Sequence, residues 1–170
     1  MRTPEGWDLP QLAEYYGVKD RVLISNTTHD LETLNALYNT FDVMVNTAGG
    51  EGWGLTPFES ASCKVPQIVP DWSATKEIWE GRGLLTRVSG VRHMDSKINL
   101  AHCQIDEKDL ADQLQFLYDN PEEARAIGEA CYEETTKDIY NWDNIANDLD
   151  EILLRAAETK HRETGSVSLR

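Results

Sequence analysis

Short, nearly continuous apolar runs alternate with helical patterns over the first half of the chain. Residues 21–25 (RVLIS), 42–46 (DVMVN) and 66–70 (PQIVP) are brief and rich in β-branched side chains, as is typical of strands that are buried on both faces. Residues 83–88 (GLLTRV) are a weaker strand candidate. Because the first three runs begin about 20 residues apart, the pattern predicts βαβ crossovers and a parallel sheet.

The segments between these runs carry helix signals. Asp30 is the predicted N-cap of a helix with four apolar side chains on one face, at Leu31, Leu34, Leu37 and Tyr38. Further helices are predicted over residues 56–64 (TPFESASCK) and 73–79 (SATKEIW). The first half is therefore predicted to be an α/β layer structure with helices flanking the sheet.

From residue 106 the pattern becomes entirely helical. Leucines at helical spacing predict a helix that ends before Pro121, and this proline is predicted to begin the next helix. A last helix is predicted from an apolar stripe formed by Trp142, Ile145, Leu149, Ile152 and Leu153. The segment 89–105 fits neither period and is interpreted as an irregular excursion or a small hairpin. We expect one domain over residues 1–158 and a flexible C-terminal tail over 159–170.

Composition narrows the possible functions. The 170 residues suffice for one domain with a real core, and the net charge of −14 disfavours nucleic acid or an anionic membrane surface as the main partner. No apolar run approaches the roughly 20 residues of a membrane span, and the first residues lack the apolar core of a signal peptide, so we expect a cytoplasmic protein. The three cysteines and four histidines show no metal-ligand spacing, so no bound metal is expected.

The stretch NTAGGEGWGLTPFES (residues 46–60) lies where a ligand site is expected. It follows a predicted strand and leads into a predicted helix, at the carboxyl end of a parallel strand, where α/β folds bind ligands. Thr56 as N-cap, Pro57 at the first helical position and Glu59 three residues after Thr56 form a capping box. Helix capping alone would therefore account for Glu59.

Capping explains less about the rest of this loop. Glu51 lies outside the helix, and Gly52 and Gly54 flank Trp53, so the backbone can approach a ligand closely. The N–H groups around Gly54 and Leu55 suit a phosphate, and carboxylates accept strong hydrogen bonds from sugar hydroxyls. The combination predicts a site for a nucleotide sugar.

The segment EGWGLTPFE, with its two glutamates separated by seven residues, resembles the E-x7-E motif of retaining GT-B glycosyltransferases of the large family 4 type. The resemblance extends over its flanks, from about residue 8 to about residue 155. It implies a Rossmann-like α/β domain with a parallel sheet and flanking helices, corresponding to the C-terminal, donor-binding domain of these enzymes. The implied parent activity is hexosyl transfer, with retention, from a nucleotide diphosphate sugar to an acceptor in glycan biosynthesis.

The resemblance also assigns roles to residues. Glu51 matches the glutamate that faces the donor sugar, which is the catalytic position, and Glu59 matches the one that binds the ribose hydroxyls. The donor-binding backbone would be formed by Gly52, Trp53, Gly54, Leu55 and Thr56. The nucleobase would lie near a loop made of Ser25, Asn26, Thr27 and Thr28. The donor would be a UDP-, GDP- or ADP-sugar, with no metal and no cofactor.

The chain departs from the family pattern at several places. Lys64 stands where a glycine is usual, and Trp53 replaces the commoner Phe. Nothing in residues 1–20 matches the first two strands of the donor domain or the Gly-Arg and lysine that neutralise the diphosphate, and the N-terminal acceptor domain is not recognisable. We therefore expect a piece of a longer protein that associates with itself or with a missing acceptor domain, and that is inactive alone.

Other interpretations remain open at this point. A non-catalytic nucleotide-binding or assembly module derived from a glycosyltransferase would keep the same loop. Trp72 and Ser73 either line the donor site or serve packing and capping. His102 and Cys103 are adjacent in sequence, which disfavours a catalytic Cys–His pair. The base, the sugar and the acceptor are not specified by the sequence.

Overall fold

The computed structural model describes residues 8–94 and 100–165, and the chain divides into two compact units, residues 1–34 and 35–170. The first unit contains helix α1 (Leu9–Tyr15) and a 3-10 helix (Lys19–Arg21). Helix α2 (Leu31–Tyr38) starts where Asp30 Oδ1 accepts the Thr33 N–H at 2.8 Å, which confirms the predicted cap. This backbone hydrogen bond lowers the pKa of Asp30.

The second unit is built on a parallel sheet. Strands β1 (Met44–Val45), β2 (Gln67–Pro70) and β3 (Leu84–Thr86) lie in the order β1-β2-β3, and both pairings are parallel. Helices α3 (Leu55–Ala61) and α4 (Ser73–Trp79) connect successive strands. The predicted fold class, an α/β parallel sheet with flanking helices, is confirmed.

The strand predicted over residues 21–25 is wrong. Arg21 ends the 3-10 helix, and residues 22–26 carry no regular secondary structure. Val22 is extended, with φ −114° and ψ 120°, but the sheets of the described residues include no strand from this segment. β-Branched residues favour an extended backbone, yet a strand exists only where a neighbour pairs with it.

The core lies where β2 is covered on both faces. All four residues of β2 are buried, and the central apolar cluster consists of Ala61, Val69, Ile78, Trp79 and Cys131. Burial raises the pKa of the Cys131 thiol to about 11, so this cysteine stays a neutral core residue.

The remaining chain forms a hairpin and a run of helices. Strands β4 (Val88–Met94) and β5 (Leu100–Ile105) pair antiparallel, so the small hairpin is the correct one of the two interpretations of residues 89–105. The predicted helices follow, with bounds α5 (Glu107–Asp119), α6 (Pro121–Thr135) and α7 (Trp142–Gly165), and a 3-10 helix (Asp138–Tyr140) precedes the last of them.

Helix α7 includes residues 159–165 of the segment predicted to be a tail, and residues 166–170 lie outside the described part of the chain. The domain boundary at residue 158 stays a prediction. None of the helices in the described ranges has an apolar stretch long enough to cross a bilayer.

Candidate functional site

Two loops and the β4–β5 hairpin meet at the carboxyl edge of the parallel sheet. They follow β1, β2 and β3, and the loop after β1 carries Glu51. The Glu51 N–H donates to Ser73 Oγ, just after β2, at 3.1 Å. The Cys103 N–H, in the hairpin after β3, donates to the Gly49 carbonyl at 2.7 Å. This edge is where α/β sheets bind ligands, and the loop after β2 and the hairpin both contact residues 49–51.

Asn46 orders the loop after β1. Its Oδ1 accepts the Ala48 N–H at 2.7 Å, and its Nδ2 donates to Glu51 Oε1 at 3.4 Å. Among the described residues this amide is the hydrogen-bond partner of the Glu51 carboxylate, which is half-buried. A carboxylate has about four acceptor positions, so Glu51 keeps capacity for the hydroxyls of a ligand.

Ser73, which follows β2, has a strained backbone conformation and supports the neighbouring loop. Its φ is 51°, in the left-handed region that non-glycine residues rarely adopt. Strain of this kind is found where the surrounding structure requires a particular geometry, and here it directs Ser73 Oγ at the Glu51 N–H. Ser73 is thus the first residue of α4 and also a support for the Glu51 loop.

The two glycines before Glu51 allow aromatic rings to approach the loop. A Cβ added at Gly49 would lie 2.5 Å from His102 Nδ1, and one at Gly50 would lie 3.6 Å from Trp72 Nε1. A side chain at Gly49 would therefore displace the His102 ring. The small residues let the hairpin and the loop after β2 close on the backbone that leads to Glu51.

The predicted capping box is wrong. Gly54 is the N-cap of α3, with φ 87°, and the helix begins at Leu55, so Thr56 and Pro57 are its second and third residues. Glycine adopts this left-handed conformation at little cost, which lets the helix begin before Thr56. Glu59 is then the fifth helical residue and does not serve as the box partner of Thr56.

Glu59 is held by a side chain from α2 instead. The Tyr38 hydroxyl donates to Glu59 Oε2 at 2.8 Å, while the rest of the Glu59 side chain is exposed. Burial, the hydrogen bond to Glu59 and its negative charge raise the pKa of Tyr38 to about 12, so the phenol remains a donor. Glu59 is therefore an oriented, accessible carboxylate without a capping function.

The Trp53 side chain packs in an aromatic cluster. Its ring centroid lies 5.3 Å from that of Phe58 and 5.5 Å from that of Tyr140. The Tyr140 hydroxyl donates to Glu134 Oε1 at 2.8 Å. The 3-10 helix after α6 thus supports the loop that carries Trp53. Sequence analysis missed this contribution of Tyr140 and Glu134, because no local pattern connects residues 53 and 140.

Glu134 anchors this support electrostatically. Its side chain is 5% exposed and forms ion pairs with Arg82 and Lys137. Burial opposes ionisation, but the hydrogen bonds from Lys137 and Tyr140 and the charge of Arg82 outweigh it, and the pKa of Glu134 is lowered.

The other predicted site residues divide between the two units. Gly52, Leu55 and Thr56 are exposed next to Glu51 in the second unit. Ser25 and Thr27 belong to the first unit, where their hydroxyls lie 3.3 and 3.2 Å from His29 Nε2. Asn26 and Thr28 are exposed in the same loop. The nucleobase role of this loop stays a prediction.

Residues 10–151 match a family model described as glycosyl transferase-like. The chain belongs to this glycosyl transferase-like family. The match spans most of the 170 residues, and it includes the Glu51 loop, the β4–β5 hairpin and the start of α7. A comparison with curated proteins found no match.

Solved structures share the fold of this family member. Sucrose-phosphate synthase from Thermosynechococcus elongatus matches with a TM-score of 0.72 and 23% identity over 92% of this chain. The C-terminal domain of a glycosyl transferase group 1 family protein (LpcC) from Francisella tularensis matches with a TM-score of 0.60 and 21% identity over 81% of this chain. The GtfA/B complex matches with a TM-score of 0.64 and 18% identity over 86%.

The chain covers only part of each of these structures. It spans 37% of the sucrose-phosphate synthase chain, 65% of the LpcC domain and 27% of the GtfA/B chain. At these identities the matches show a shared fold, which is that of GT-B glycosyltransferase C-terminal domains. Within the described ranges, no three His, Cys, Asp or Glu side chains are grouped closely enough to hold a metal ion.

Proposed function

We propose that this chain is the donor-binding part of a retaining glycosyltransferase that transfers a sugar from a nucleotide diphosphate sugar to an acceptor. One observation carries the proposal. Glu51 lies where the loops after β1 and β2 meet the β4–β5 hairpin, and its carboxylate is hydrogen-bonded there only by the Asn46 amide among the described residues. A carboxylate in this position accepts hydrogen bonds from sugar hydroxyls.

The two motif glutamates have different tasks in this proposal. Glu51 orients the sugar that is transferred, and its geometry is maintained by Asn46 and Ser73. Glu59 accepts hydrogen bonds from the ribose hydroxyls, and Tyr38 maintains its orientation. The backbone of Gly52, Trp53, Gly54, Leu55 and Thr56 lies between these two carboxylates in sequence, and in this proposal it meets the rest of the donor, with Gly54 itself buried.

Retention places further demands on the protein. The leaving diphosphate takes part in the transfer, and the acceptor hydroxyl approaches the same face of the sugar that the diphosphate leaves. We propose that this acceptor is presented by a separate domain, because the chain spans only 37% of the sucrose-phosphate synthase chain that it matches. The 170-residue chain should therefore bind a donor without turning it over.

Binding by the Glu59→Gln variant tests the proposal. The wild-type chain is titrated with UDP-glucose, GDP-mannose and ADP-glucose by calorimetry, and we expect it to bind at least one of them. Glu59→Gln should weaken that binding by about tenfold, because hydrogen bonds to a charged acceptor are stronger than those to a neutral one. Its melting temperature should hold, since glutamine still accepts from the Tyr38 hydroxyl.

Glu77→Gln is the matched control, because Glu77 is an exposed glutamate on α4 outside the loop. It should change neither affinity nor stability. Equal affinities of Glu59→Gln and the wild type would contradict the ribose role. Rapid transfer by the isolated chain would contradict the requirement for a separate acceptor domain.

The alternative of a non-catalytic assembly module makes a different prediction in the same experiments. Such a module would show no nucleotide-sugar binding, and only a protein partner would raise its melting temperature. The intact geometry around Glu51 favours the donor-binding proposal, because packing alone does not require an oriented carboxylate next to a strained serine.

A further inference from the structure

The β4–β5 hairpin contacts the site more closely than its sequence indicates. Its second strand donates the Cys103 N–H to the Gly49 carbonyl at 2.7 Å, and the Cys103 thiol approaches the Ala48 carbonyl at 3.7 Å. The His102 ring lies against Gly49, two residues before Glu51. The hairpin is therefore a wall of the proposed donor site.

Two nitrogen-bearing side chains of this wall are available to a ligand. Arg92 and His102 are directly opposite each other in the ladder, so their side chains share one face of the hairpin. Among the described residues, neither the Arg92 guanidinium nor the His102 ring has a hydrogen-bond or ion-pair partner. His102 is half-buried and Arg92 is exposed. An arginine next to a histidine at a binding loop is suited to phosphate oxygens.

The charge of the hairpin differs from that of the chain as a whole. The chain has 30 acidic and 16 basic residues, whereas the described hairpin residues, 88–94 and 100–105, include Arg92, His93 and His102 and no carboxylate. The described strands of this wall thus add no carboxylate that would repel an anion.

Two other described cations near the carboxyl edge of the sheet are already engaged. Lys76 pairs with Asp71 at 2.7 Å, and the Arg87 guanidinium pairs with Asp109 at 3.1 Å. A ligand that competes for either cation must displace a carboxylate, whereas Arg92 and His102 have no carboxylate partner among the described residues. This difference directs an anionic ligand toward the hairpin.

We propose that Arg92 and His102 bind the diphosphate of the nucleotide-sugar donor, which makes the β4–β5 hairpin part of the donor site. This inference rests on the proposed function, since it concerns the same ligand. The two residues are positioning residues for the donor: they hold the phosphates while Glu51 orients the sugar. The hydrogen bond from the Cys103 N–H to the Gly49 carbonyl connects the hairpin, with Arg92 and His102, to the loop that carries Glu51.

The selectivity for diphosphate over monophosphate tests this inference. Calorimetry with UDP, GDP and ADP, and with UMP, GMP and AMP, gives that ratio for the wild-type chain and for Arg92→Ala and His102→Ala. We expect each variant to reduce diphosphate affinity by about tenfold and to reduce the ratio. Arg92→Lys, which keeps the charge, should lose less than Arg92→Ala, and the loss should shrink at high salt.

His93→Ala is the matched control. His93 is in the same strand next to Arg92 but pairs with Ala101, so its side chain lies on the opposite face of the hairpin. It should leave diphosphate affinity unchanged. Melting temperatures identify any variant that perturbs folding. If His102→Ala does so, His102→Asn replaces it, because asparagine keeps a polar group in a smaller volume.

The outcomes separate this inference from the function on which it rests. If the wild-type chain binds no nucleotide, the proposed function fails and the inference fails with it. If it binds diphosphates and the hairpin variants bind them equally well, the proposed function stands and the inference is overturned. A loss of monophosphate and diphosphate affinity in equal proportion would also overturn it, because the hairpin would then support the loop without contacting the second phosphate.

Discussion

The layer around β2 and the last helix, α7, were both predicted from apolar patterns, but only the first is buried. Trp79 at the end of α4 is 0% exposed, whereas Trp142 at the start of α7 is 82% exposed. β2 has a paired strand on each side and helices against it. Helix α7 has its main contacts with the short 3-10 helix that precedes it.

This contrast shows what periodicity determines. It identifies which face of a helix is apolar, but burial also needs a second surface to cover that face. Among the described residues no element covers the α7 stripe, in which Leu149, Ile152 and Leu153 are more than half exposed. The same signal thus marks a core element in one region and an uncovered surface in the other.

Trp79→Ala should have the largest effect on stability. The side chain is fully buried in the central cluster, so its removal should lower the free energy of unfolding by about 3–5 kcal/mol, through lost burial and the cavity that remains. Trp142→Ala, the same change on α7, should stay within about 0.5 kcal/mol. Urea denaturation of both variants measures the difference.

Equal losses of unfolding free energy in the two variants would contradict this contrast, since they would mean that the α7 stripe is as well covered as the core. A loss of unfolding free energy in Trp79→Ala alone would support the contrast between the buried β2 layer and the exposed α7 stripe. Both variants are compared with the same wild-type unfolding curve.

The ion pairs of Glu134 and Glu151 extend the comparison to charge. Glu134 is 5% exposed and pairs with Arg82 and Lys137, whereas Glu151 on α7 pairs with Arg155 and is 68% exposed. The pKa of Glu134 is lowered from the ordinary value of 4.5. Its ionised form therefore stabilises the fold above that ordinary value, and this contribution is lost as the pH falls through the lower folded pKa.

Glu134→Gln should accordingly cost about 1–3 kcal/mol at pH 7 and progressively less as the pH falls below 4.5. Glu151→Gln should show neither the loss nor the pH dependence, because exposed pairs contribute little. Unfolding curves at several pH values between neutral and acidic provide the test. A constant deficit of Glu134→Gln at every pH would show that its role is packing and not charge.

The sequence predicted individual elements correctly where the signal is local to the backbone. The run at residues 66–70 became β2, and the loop with Glu51 follows β1 at the expected edge of the sheet. The prediction failed for residues 21–25, because strand formation depends on a partner and not on propensity alone. It also failed at Thr56, where the positive φ of Gly54 moved the start of the helix.

The contacts that complete the site are long-range, and for that reason no local pattern revealed them. Tyr38 reaches Glu59 across 21 positions, and the hairpin reaches the loop through Cys103 and Gly49. In the sequence, His102 is notable only for standing next to Cys103. The structure brings the His102 ring next to the Glu51 loop because Gly49 has no side chain in its way, and this close approach is a property of the folded backbone.

Leu149→Ala should have the smallest effect and is the most direct test of the α7 surface. Leu149 is 54% exposed, so at low micromolar concentration the change in unfolding free energy should stay within about 0.5 kcal/mol, a shift of no more than about 2 °C in melting temperature. The stripe at Trp142, Ile145, Leu149 and Ile152 alternates steps of three and four residues, the spacing of a helix that pairs with another helix. A deficit that grows with protein concentration would therefore show that a second copy covers the stripe, and the contrast with β2 would then hold for the isolated chain alone.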